Sequence, residues 1–261
     1  MPDLLGALAA GGAGLGAAAF LVVGAVIGWL ARVPHAVVAG VMAFGAGALI
    51  STLAFELVVE AHETGGLAPT LAGFLLGAVI FVVADLLLAR QGARARKRSI
   101  ALQSAPGIHA SPAPAASTAI GLAVAVGALL DGVPESLVLG LSLAEGGAVS
   151  LPILIAVAVS NIPEGLSSAA GMRHEGRSAR YVFGVWGGIA LASGLAAALG
   201  FLVLADAPSG VIAGVQTVAA GGILAMVANT MIPEAFDADR SLTGLWAALG
   251  FALSFALTQL G

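Results

Sequence analysis

Gly40–Ala61 reads GVMAFGAGALISTLAFELVVEA, and Gly214–Ala235 reads GVQTVAAGGILAMVANTMIPEA. The two stretches align without a gap: Gly40 falls on Gly214, Gly47 on Gly221 and Glu60 on Glu234. Each is apolar and long enough to cross a bilayer, which takes about 20 residues of helix. Both are rich in the small residues that let helices approach closely in lipid. A chain that carries such a stretch twice is expected to be built from related halves.

The rest of the chain fits that reading. Its 261 residues are 59% hydrophobic and 9% charged, where a soluble domain carries roughly 25% charged residues. Mean hydropathy is +1.06. There are 37 glycines and no cysteine, which excludes disulfides, thiolate metal sites and cysteine nucleophiles. The first apolar stretch follows Asp3 and lacks a basic leader, so it reads as a retained helix and not as a cleaved signal peptide.

Eight apolar stretches follow one another: 4–30, 36–59, 67–89, 118–142, 149–171, 181–204, 210–232 and 242–260. Lipid requires every backbone polar group to be satisfied internally, so each is expected to cross as a helix. Eight crossings place all ten basic residues on one side: Arg32; Arg90, Arg94, Arg96, Lys97 and Arg98; Arg173, Arg177 and Arg180; Arg240. The excess of Lys and Arg marks the cytoplasmic side and puts both termini outside, in a plasma (inner) membrane. The expected architecture is all-α, one transmembrane domain over 1–261 with eight helices in a 3+2+3 inverted repeat. Residues 91–117, basic and then rich in Ala, Pro and Ser, form a cytoplasmic linker between spans three and four that carries His109.

Span two runs from inside to outside and span seven runs back, so their repeat is inverted. A second echo joins spans four and five, as Asp131-Gly-Val-Pro134-Glu135 and Ser160-Asn161-Ile-Pro163-Glu164. Inverted repeats with helices interrupted at matching positions mark secondary transporters that bind substrate near the midplane.

The candidate site lies in that second echo. Asp131 and Glu135 share one helix face, as do Ser160 and Glu164, four residues apart. Pro134 and Pro163 each deprive an earlier carbonyl of its donor, which adds backbone oxygen at the same depth. Ionised groups at mid-membrane are costly, rare and usually functional. Three carboxylates together repel unless a cation or protons neutralise them, and oxygen ligands suit hard divalent cations. Ser193 and Asn229 are the further polar candidates to face the cavity. Glu56, Glu60, His62 and Glu63 sit at the outer end of span two, as cation recruiters or as a solvated end. Glu234, Asp237 and Asp239 form the corresponding cytoplasmic group, where an exit for the cation is expected.

At these residues the sequence resembles the ZIP family of divalent metal transporters, over nearly the whole chain. The motif is Asn161-Ile162-Pro163-Glu164-Gly165, supported in span seven by Ala219-Ala220-Gly221-Gly222 and Ile232-Pro233-Glu234-Ala235. The resemblance implies a binuclear metal site between spans four and five and an elevator-like movement of one helix bundle against the other. By position, Glu135 and Glu164 would be shared ligands. Asp131 stands where the family usually has histidine, and Gly132 replaces a polar partner. Ser160 and Asn161 replace a His or Gln and an Asp-like neighbour. Ser193 is the nearest candidate for a span-six glutamate, Asn229 and Thr230 stand where acidic residues are common, and Leu49 stands where some relatives place a methionine ligand. All nitrogen and sulfur ligands are expected to be missing, which shifts preference from zinc toward harder ions.

The resulting expectation is a divalent metal transporter, with Zn, Mn, Fe or Cd as cargo moving toward the cytoplasm. Its candidate metal residues are Asp131, Glu135, Ser160, Asn161, Glu164, Ser193 and Asn229. It is read as no enzyme, needing no cofactor and no nucleic acid; its partners are the metal ion and the lipid bilayer, and a homodimer is compatible with the sequence. The alternatives are a non-transporting metal-binding or sensing relative and a proton-coupled carrier of another solute.

Overall fold

In the computed structural model the described residues are 4–88, 132–143, 149–174 and 176–260. The 91–117 linker, His109 and Asp131 lie outside them. The regular structure described is helical. Seven helices are long and apolar enough to cross a membrane: α1 (Leu4–Leu30), α2 (His35–Gly65), α3 (Leu67–Leu87), α5 (Leu151–Arg173), α6 (Ala179–Leu204), α7 (Ser209–Asp237) and α8 (Thr243–Leu260). A shorter apolar helix, α4 (Gly132–Leu143), precedes α5.

Helix ends agree with the apolar stretches most closely at α1, α3, α6 and α8. The two stretches that align in sequence give longer helices than hydropathy predicts. Thirty-one residues in α2 correspond to about 46 Å of helix, well over the roughly 30 Å of bilayer hydrocarbon. Each has a π-helical turn near the end of its apolar stretch, Leu53–Val58 in α2 and Val227–Met231 in α7, and continues beyond it as α-helix. The two turns begin at aligned positions. Both helices also open directly after a proline, Pro34 and Pro208, whose fixed φ suits a helix entry.

The likeness extends to how these helices are held. A Cβ on Gly47 of α2 would collide with the carbonyl of Ala247 in α8, and a Cβ on Gly221 of α7 with the carbonyl of Phe74 in α3. Gly250 meets the carbonyl of Phe44 and Gly77 that of Val218 in the same manner. Since Phe44 aligns with Val218 and Gly47 with Gly221, the α2–α8 contact is repeated as the α7–α3 contact. Glycine is required because backbone lies against backbone, the close approach that drives helix association in lipid.

Contacts divide the described helices into two bundles. In one, α1 lies along α5 and α6, and Gly140 of α4 abuts the carbonyl of Ala197 in α6. In the other, α2 lies along α8 and α3 along α7. The bundles meet in a seam where α2 faces α5. The largest apolar core straddles it, with Leu49, Leu53, Ile223 and Val227 on one side and Val138, Leu139, Ala156 and Val157 on the other. Outside, Leu191, Leu195, Leu199 and Val203 form an exposed stripe along α6. Their four-residue spacing makes one helical face, which in a membrane is covered by acyl chains.

Candidate functional site

Three glutamates in this chain follow proline in a shared tripeptide: Val133-Pro134-Glu135, Ile162-Pro163-Glu164 and Ile232-Pro233-Glu234. All three glutamates line one small cavity in the seam, of ≈ 20 Å³, together with Ser160, Ser167, Thr230, Met42, Met226 and Met231. Glu135 comes from α4, Ser160, Glu164 and Ser167 from α5, and the remainder from α2 and α7. One bundle therefore contributes hydroxyls and two carboxylates. The other contributes three thioethers, a hydroxyl and the third carboxylate.

Local structure explains these positions. Pro163 lies inside α5 and Pro233 in the first turn after the π-helical segment of α7. That π-helical turn carries Asn229, Thr230 and Met231, and such single turns recur at functional sites. Glu135 is 3% exposed and Ser160 4%, so both are removed from bulk solvent. The Ser160 hydroxyl donates to the carbonyl of Val157 at 2.9 Å, which leaves its lone pairs available.

A second, larger space of ≈ 610 Å³ opens at the end of the molecule that carries Arg32 and Arg173. Its walls include Leu166, Ser167 and Ala170 of α5 and Val38, Ala39 and Met42 of α2, so both bundles form it. Met42, Ser167 and Glu234 line this vestibule and the central cavity alike. Arg173 is fixed at the rim: its guanidinium lies 5.6 Å from the Trp29 ring and donates to the Trp29 carbonyl.

The remaining sequence candidates are placed elsewhere. The Asn161 amide nitrogen donates to the carbonyl of Ala17 at 3.0 Å, which ties α5 to α1 where Gly165 and Gly24 bring the two backbones together. Ser193 is buried against Gly132; a Cβ there would stand 3.3 Å from the serine hydroxyl. Asn229 is half-buried, and its neighbour Thr230 is the one on the cavity wall. Leu49 belongs to the apolar core. Among the described residues no three His, Cys, Asp or Glu side chains converge closely enough to hold a metal ion.

Two further features belong to the cavity. Glu234, which the sequence groups with Asp237 and Asp239 as an exit, stands at the junction of cavity and vestibule. The shared Pro-Glu pair was the available signal. Three of the chain's five methionines also line the cavity. Methionine within an apolar helix carries no signal of its own.

At the opposite end, Glu56 accepts from Ser150 and from Thr258, and Glu60 accepts from the Gln216 amide at 3.2 Å. Glu56 is thus bound into the structure and not a free solvated end. No protein-family model and no curated protein matches the chain.

Proposed function

We propose that this chain is a divalent metal transporter of the plasma membrane, similar in design to the ZIP family, with eight helices in a 3+2+3 inverted repeat and both termini outside. The observation that carries this reading is the cavity lined by Glu135, Glu164 and Glu234, linked through Glu234 to an open vestibule. Buried carboxylates on a transmembrane seam are costly to keep and mark ion pathways. The aligned π-helical turns and the matched glycine contacts support the inverted repeat.

Size favours an ion as cargo. A water molecule needs about 10–15 Å³ of accessible space, so a cavity of ≈ 20 Å³ takes one water-sized body. The wall chemistry is mixed: carboxylate and hydroxyl oxygens accept hard cations, and thioethers favour soft ones. Zinc and cadmium are therefore expected ahead of magnesium, with manganese and ferrous iron between. Binding residues are Glu135, Glu164 and Ser160. Glu234 receives the ion on its way to the cytoplasm. The function is carriage, without catalysis and without a cofactor.

One observation favours a second reading. The vestibule rim carries Arg32, Arg173 and His35, a basic mouth that suits an anionic solute carried with protons. Both readings are tested by flux into proteoliposomes with zinc, cadmium, manganese, ferrous iron and magnesium compared. Saturable metal flux that falls to the background of empty vesicles in Glu164→Ala and Glu135→Ala is expected. Tight vesicles that pass no metal would overturn the metal reading. Proton movement driven by an anion gradient would then establish the second.

A further inference from the structure

The seam between the bundles is open at the basic end and tied at the other. Glu56 lies on the π-helical turn of α2, about 20 residues beyond His35 at the vestibule, or roughly 30 Å along the helix. One oxygen of its carboxylate accepts from the Thr258 hydroxyl of α8 at 2.7 Å. The other accepts from the Ser150 hydroxyl at 2.5 Å. Ser150 is the residue on which α5 starts: its hydroxyl also accepts from the backbone N–H of Ile153 at 3.3 Å. Its own N–H donates to the Ser142 hydroxyl at the end of α4, at 3.4 Å.

This chain of bonds differs from three other ties between the described helices. Thr52 with Ser254, Asn161 with Ala17 and Gln216 with Glu60 each join helices of the same bundle. Glu56 with Ser150 joins the two bundles. It grips α4 and α5 at their junction, and these helices carry Glu135, Ser160 and Glu164. A single hydroxyl–carboxylate bond of this kind can break in one step when the seam widens.

We propose that Thr258–Glu56–Ser150 is a latch that holds this end of the seam shut while the vestibule end stands open. Ser150 is the catch on the bundle bearing the central glutamates, and Thr258 sets the Glu56 carboxylate toward it. Breaking the latch lets the α4–α5 pair move relative to α2 and α8, opening the Glu56 end and narrowing the vestibule. The proposal rests on the transporter reading in one respect, that the seam opens at alternate ends.

The absence of native cysteine allows a direct test with single-cysteine reporters and a membrane-impermeant maleimide. Ala170→Cys reports on the vestibule, which it lines. Ala156→Cys reports on the seam toward the Glu56 end, where Ala156 is 1% exposed. In the wild-type background the first is expected to label and the second not. Adding Glu56→Ala should raise labelling at 156 several-fold and lower it at 170, with Glu56→Gln intermediate. Should Glu56→Ala fail to elute as a folded species, Ser150→Gly removes the catch alone, because glycine is tolerated at a helix N-cap. Unchanged labelling at both positions in a folded variant would overturn the latch. Labelling that shifts in a protein whose tight vesicles pass no metal would sustain the latch and remove the metal reading. Flux lost in Glu164→Ala with labelling unmoved would do the reverse.

Discussion

Within a bundle the helices press backbone against backbone; across the seam the approach is less close. Gly47 and Gly250 between α2 and α8, and Gly221 and Gly77 between α7 and α3, leave no room for even a methyl group. Across the seam, a Cβ on Gly222 would lie 3.9 Å from the Pro134 ring, and one on Gly45 would lie 3.0 Å from the Cα of Ser160. Two surfaces built from the same small residues thus differ in tightness. The tight contacts make rigid bodies. The looser one, with its cavity and vestibule, is where movement can occur without breaking either body.

The comparison fails first if the tight contacts prove dispensable. Gly47→Leu and Gly221→Leu should each destabilise by about 3 kcal/mol or prevent folding, since overfilled contacts force the backbone apart. Gly222→Ala should change stability by less than about 0.5 kcal/mol. Melting temperatures in detergent measure all three, and equal losses at 221 and 222 would erase the distinction. Gly45→Ala sharpens it: the added methyl wedges the seam beside Ser160, so flux should drop several-fold while the melting temperature barely moves. A large loss of stability there would make the seam as rigid as the bundles.

The smallest effect lies outside both surfaces, in the connection before α8. Asp239 accepts from the Ser241 hydroxyl at 2.7 Å and from its N–H at 3.0 Å, and these bonds hold its carboxyl below the ordinary value of 3.8. A lowered folded value stabilises above the unfolded value and loses that contribution as pH falls through the folded one. Asp239→Asn should therefore melt slightly below the wild type at neutral pH, with the gap closing below about pH 4. A gap that is constant with pH would show that the bonds, and not the charge, matter.

Hydropathy made most of the described helices legible. The apolar runs reproduce α1, α3, α6 and α8 nearly residue for residue, because a bilayer leaves a helix as the one way to satisfy such a backbone. They end α2 and α7 too early, since Glu60 and Glu234 read as solvated ends while the helices continue through π-helical turns. The site was half legible. Buried carboxylates are so costly in lipid that Glu135 and Glu164 announce themselves. Ser160 was placed by its spacing to Glu164. Asn161, Ser193 and Asn229 were not placed, because an uncharged polar side chain in a helix can serve equally as a tie to a neighbour, and spacing alone does not choose between three packed faces.

For the proposed carriage of an ion, the step in volume at Glu234 has a kinetic consequence. An ion can stand in the ≈ 610 Å³ vestibule with its water, but the ≈ 20 Å³ cavity cannot admit its hydration shell. Each crossing then includes the stripping or rebuilding of that shell at one carboxylate. Such a threshold sorts ions by how fast they exchange water as well as by which ligands they prefer, and magnesium, which dehydrates reluctantly, would be turned away by its tempo before its affinity was ever tested.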